Sequence, residues 1–191
     1  MTVALAAALQ ESKLHNLASG DRDSVGLFQQ RPSQGWGTAV QIRTPRYATE
    51  AFYNRLVKVP DWQSLTVTDA AQAVQRSAAP RAYARQEPEA RVLAQALTGE
   101  APAALACRAP SGAGPTLTTS LAAGMRAELG GPFLGVDVPP VRAWAIAAWL
   151  IAHAQAYRIQ SVSFGDQRWT VATGRWAAHG DVGPGVRINT G

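Results

Sequence analysis

ALQESKLHNLASGDRDSVGLFQQRPSQGWG, residues 8–37, changes character halfway along. Its first part continues a helical pattern that spans residues 2–18, in which Ala4, Ala7, Ala8, Glu11, Leu14 and Ala18 fall on one face at three-and-four spacing. Gly20 stops that pattern. From there the density of Gly, Asp and Pro excludes a helix, and VGLFQQ reads as a short extended piece between turns. A helix that feeds a long, structured loop predicts a mainly α unit with a site shaped by that loop. One residue stands out in it: Glu11, a carboxylate within the apolar stripe.

Outward from this stretch, helical patterning returns over PRYATEAFYNRLVKV, residues 45–59, and stops at Pro60. It resumes in TVTDAAQAVQRSA with Thr68 or Asp69 as the capping residue, and again from about Arg81 or Glu87 to Leu97. Residues 1–107 therefore form one mainly α domain. RAPSGAGPTLT, residues 108–118, has the composition of a linker. Beyond it, residues 119–191 give a helix in SLAAGMRAEL, a loop in GGPFLGVDVPP and a strongly apolar helix in VRAWAIAAWLIAHAQAY. The period then becomes two: IQSVSFGDQRWTV alternates about Gly165-Asp166 as a β-hairpin does, and GVRINT supplies a further strand. The predicted fold class is α+β, a mainly α N-terminal domain joined to a small α+β C-terminal domain, with no internal repeat.

Composition narrows the function. With 191 residues, 47% of them apolar, the chain can bury one good core or two small ones. No run reaches the 18 apolar residues of a membrane span. The net charge of +5 is carried almost wholly by arginine, with Lys only at 13 and 58, and no dense basic run marks a nucleic-acid surface. A mildly cationic chain suits an anionic polymer instead. Cys107 has no partner for a disulfide within the chain and reads as a small buried residue closing the first domain. The three histidines, 15, 153 and 179, lack ligand spacing, so no metal site is expected. The oligomeric state stays open.

Glu11 has two readings. With Ala7, Ala8 and Leu14 as helical neighbours it is partly desolvated, which raises a carboxyl pKa toward the range where it protonates a leaving oxygen. Otherwise it sits at the stripe's edge with its head in water. Sugars need flat apolar faces and amide or hydroxyl partners, which Gln29, Gln30, Gln34, Trp36 and Tyr83 supply. The other reading makes Trp36 a cap on the core and Tyr83 a packing residue.

E-S-K-L followed by G-D-R-D-S-V-G-L-F-Q-Q resembles the lytic transglycosylase and goose-type lysozyme superfamily over residues 1–107. Glu11 and Ser12 match its E-S pair; Gly26, Leu27, Phe28 and Gln29 match its G-L-M-Q-like loop, with Phe for Met. The third element, A-Y-N-x-G, falls in AAQAVQRSAAPRAYA, with Val74 at the Tyr position, Gln75 at the Asn and Ser77 at the Gly. The longer string is similar to lysozyme-like domains of actinobacterial wall proteins. The resemblance implies cleavage of the MurNAc–GlcNAc β-1,4 bond of peptidoglycan, with Glu11 as acid and then base and no cofactor. It also implies substrate contacts from Ser12, Gln29 and Gln75, peptidoglycan strands as partner, and an extracytoplasmic place supplied by a signal or anchor upstream of Met1. Asp21 and Asp23 are either a second carboxylate for hydrolysis or turn residues. The alternative is a wall-glycan-binding or structural module that keeps the fold without cutting.

Residues 119–191 resemble zinc-dependent wall peptidases and their inactive relatives, with Gly135 and Asp137 as a G-x-D pair. The upstream His is missing and GVRIN stands where a His-x-His pair is expected, so this half reads as a non-catalytic module for packing or wall binding. Trp144, Trp149, Trp169 and Trp176 are its binding face or its core.

Overall fold

The computed structural model describes residues 1–108 and 120–190, a mixed α+β chain that divides into two compact units, Met1–Ala94 and Gln95–Gly191. Most of the expected linker, residues 109–118, lies outside the described residues.

Unit 1 is built on alanine. Helix α1 (Thr2–Ser12) buries Ala4, Ala6, Ala7, Ala8 and Leu9, and these small side chains let it lie close against α4 (Val67–Gln75), whose Ala70, Ala71 and Val74 face it. The bulk of the core comes from α2 (Ala39–Ile42), α3 (Pro45–Leu56) and the loop before them. Phe28 stacks on Phe52 with ring centroids 4.9 Å apart, among Trp36, Ile42, Leu56 and Tyr83. Tyr83 comes from a 3₁₀ turn, Ala82–Gln86, which runs into α5 (Glu87–Thr98).

Two expectations change here. Helix α1 ends at Ser12, well before Ala18, because Lys13 and Leu14 both take left-handed backbone (φ 52° and 61°) and their amides close back on Leu9 and Ala8. The chain then leaves the helix axis so that Leu17 can pair with Gly26 (N–H···O 2.8 Å), and Leu14 stays exposed. The cap of α4 is Thr66, whose hydroxyl accepts the Asp69 amide, in place of Thr68 or Asp69.

In unit 2, α6 (Leu121–Leu129) is capped by Ser120 and stopped by Gly130, and α7 (Pro140–Ala152) starts on a proline. Its apolar face, Ala143, Ile146, Ala147, Leu150 and Ile151, packs on an antiparallel sheet of order β3-β2-β1-β4: β1 Ile159–Phe164, β2 Gln167–Thr170, β3 Trp176–Ala178 and β4 Arg187–Thr190. The hairpin turns on Gly165 (φ 57°), as a two-residue loop with glycine first requires. An irregularity between Ile159 and Ser161 gives β1 one extra residue, so Ile159 and Val162 both reach the core although they are three apart.

Residues 95–107, expected with the first domain, go with this unit. The Trp176 indole donates to the Leu105 carbonyl (3.0 Å) and the Trp169 indole to that of Cys107 (3.3 Å). Cys107 itself is exposed, contrary to the expectation that it is buried. Trp169 is fully buried, and Trp144 packs edge-on against both Phe164 and Trp176, 5.1 Å from each. These tryptophans are thus mostly core. Gly135 donates to the Val186 carbonyl (2.9 Å) and tacks the loop before α7 beside β4.

Candidate active site

Glu11 occupies the last turn of α1, half-buried, and its Oε1 accepts the Tyr83 hydroxyl at 2.6 Å. The contact joins residues 72 positions apart, and it exists because α1 packs on the Ala82–Gln86 turn. Burial, followed by the Glu11 carboxylate beside it, holds the Tyr83 phenol far above its ordinary pKa of 10.0. Tyr83 therefore stays a donor and keeps one carboxylate oxygen oriented. Among the described residues no other group hydrogen-bonds Glu11. A second clamp, Gln86 Nε2 to Gln10 Oε1 (3.1 Å), fixes the same turn of α1.

The loop after α1 is fastened by its own polar groups. Ser12, buried, donates to the Leu27 carbonyl at 2.7 Å and so ties the loop to the end of the helix. Gln29, in left-handed backbone (φ 47°), folds its amide back: Nε2 donates to the Gly26 carbonyl (3.1 Å) and Oε1 accepts the Ser24 hydroxyl (3.1 Å). Gly20 leaves room for this fold-back, since a Cβ there would lie 1.7 Å from Gln29 Oε1 and displace the amide. Asp23 takes the Arg31 guanidinium at 2.8 Å and both the amide and hydroxyl of Ser33. Arg31, then the Ser33 amide, hold its carboxyl well below the usual carboxylate range. Gln75, at the end of α4, donates to the Phe28 carbonyl at 2.7 Å and pins the loop from the other side.

These elements enclose an open groove of about 540 Å³. Of the residues singled out from sequence, Glu11, Asp21, Gln29, Gln34 and Gln75 line it. The rest do other work. Ser12 and Asp23 hold the loop, and Tyr83 lies behind Glu11 with none of its surface exposed. Gln30 is buried and donates to the Ala48 carbonyl (3.1 Å). Trp36 is no stacking platform: it is 5% exposed, and the Arg55 guanidinium covers its ring at 3.4 Å. The sequence reading missed Arg22, Arg31, Arg76, Ser24 and Ser77, which also line the groove. The three arginines are spread over 55 positions, so no local charge run announces them.

The groove thus presents one oriented carboxylate, one exposed carboxylate (Asp21), amides and guanidinium groups. That set can protonate a leaving oxygen and hydrogen-bond a polar chain. No family model matches the chain, and no curated protein matches it either. Among the described residues, no helix is long and apolar enough to cross a membrane.

Proposed function

We propose that unit 1 is a lysozyme-like domain that cleaves the MurNAc–GlcNAc β-1,4 bond of peptidoglycan outside the cytoplasm, with Glu11 as its single acid and base. The observation that carries this reading is the placement of Glu11: it opens onto a groove beside Gln29 while Tyr83 holds one of its oxygens. A glutamate kept only for packing has no need of a groove.

In this reading the protonated Glu11 gives its proton to the glycosidic oxygen as the bond to the anomeric carbon breaks. The sugar's own 6-hydroxyl then attacks that carbon, and the Glu11 carboxylate takes up the hydroxyl proton, which yields a 1,6-anhydro end. Asp23, held by Arg31 and Ser33 and outside the groove lining, fits the turn role better than that of a second carboxylate. Asp21, whose side chain is 92% exposed, is the remaining candidate to activate water in a hydrolytic variant.

The test is digestion of purified peptidoglycan by the wild-type chain and by Glu11→Gln, with soluble products identified by mass spectrometry. Anhydro products are expected from the wild type, with at least about a 10²-fold loss in the variant. Reducing ends would move the reading to hydrolysis through Asp21. Equal wall binding by both proteins with no release would leave unit 1 as a glycan-binding module.

A further inference from the structure

Unit 1 has a second concavity, of about 500 Å³, that shares Arg76 with the Glu11 groove. Its lining includes Arg55, Lys58 and Arg76, small apolar side chains such as Ala73 and Pro60, and no carboxylate. None of the three cations forms an ion pair among the described residues, and what sets them apart from the other unpaired arginines of this unit is that they line one concavity together. Two of them are held in place at a cost. Arg55 is fixed over Trp36 and donates to the Gln34 and Gly35 carbonyls (3.2 and 3.1 Å), and burial with Arg76 nearby draws it below the ordinary range of an arginine. Arg76 caps α4 in left-handed backbone (φ 52°), a position at which glycine is the relaxed choice. Like charges gathered without a counter-ion, on strained and packed supports, make an anion site.

We propose that this cleft binds a carboxylate carried on the same polymer that lies in the Glu11 groove, the peptide stem attached to its lactyl sugar. The inference rests on the reading above for the identity of that polymer, and the apolar floor of Ala73, Val59 and Pro60 suits the short side chains of such a stem. Arg76, on the wall of both concavities, links the glycan subsite to the stem subsite.

The experiment is a heteronuclear NMR titration of the full chain with three probes: muramoyl dipeptide, uncharged chitotetraose and inorganic phosphate. Muramoyl dipeptide is expected to shift the amides of residues 55–59 and 73–76, and Lys58→Gln to weaken its binding about threefold. Arg76→Gly, which relaxes the backbone, is expected to weaken it as well, so loss there cannot be loss of fold. Chitotetraose is expected to move Gln29, Gln75 and Ser77 and to leave 55–59 still. If chitotetraose behaves so while the dipeptide leaves 55–59 unmoved, or binds Lys58→Gln as tightly as wild type, the cleft proposal falls and the glycan reading stands. If the dipeptide moves 55–59 while chitotetraose moves nothing, the cleft stands and the glycan reading falls. Tighter binding of phosphate than of the dipeptide overturns the carboxylate assignment.

Discussion

The Glu11–Tyr83 pair is where a single atom decides most. Removing the hydroxyl in Tyr83→Phe leaves a half-buried carboxylate without its donor, and bonds to charged groups are worth about 1.5–3 kcal/mol, so a loss of that size is expected in denaturant unfolding. The phenol also makes stability depend on pH. A group whose folded pKa is raised binds its proton longer in the native state, so its contribution is whole below pH 10 and declines as pH rises beyond it. Tyr83→Phe is expected to flatten that alkaline decline. Asp23 has the opposite sign: its folded pKa is depressed below 3.8, so its contribution is present at neutral pH and lost as pH falls. Asp23→Asn is expected to be less stable than wild type at pH 7, with the two melting curves converging below about pH 4.

At the scale of elements, the loop from Lys13 to Gly37 is the part on which the site depends. Gly20→Ala is expected to push the Gln29 amide off the Gly26 carbonyl at a cost of about 1–3 kcal/mol and to shift the Gln29 side-chain resonances, because the added Cβ meets that amide before it meets backbone. Arg76→Gly goes the other way and is expected to raise stability by about 1 kcal/mol, measured by thermal unfolding, since it relieves a left-handed residue. Much of this level was legible. The alternation around Gly165-Asp166 announced the hairpin and the final strand came from GVRINT, whereas the helix expected to run to Pro60 ends earlier, at Leu56. The end of α1 was not, because Leu14 and Leu17 extend the helical period while the pairing of Leu17 with Gly26 is a non-local event. Site residues divided on the same line. Glu11, Gln29 and Gln75 were readable from motif and chemistry; the burial of Trp36 and Tyr83 and the gathering of Arg22, Arg31 and Arg76 follow from packing that no window of sequence contains.

Across the molecule, Glu11 sits in a unit whose core is small alanines around a few large aromatics. Phe52, fully buried against Phe28, carries a large share of that packing, and Phe52→Ala is expected to cost about 3–5 kcal/mol and to collapse hydrogen-exchange protection within residues 1–94. Net charge of +5 with an unpaired cationic cleft predicts wall binding that weakens with salt, as the screening length falls from about 10 Å at 0.1 M to about 3 Å at 1 M. The central claim is that the groove beside Glu11 holds the scissile bond. It is tested most directly by a crystal structure of Glu11→Gln soaked with a peptidoglycan-derived tetrasaccharide. The expected result is a glycosidic oxygen within hydrogen-bond distance of the residue 11 amide, with Gln29 and Gln75 flanking the chain. A sugar bound elsewhere on an ordered protein, with this groove empty at saturating ligand, would contradict it.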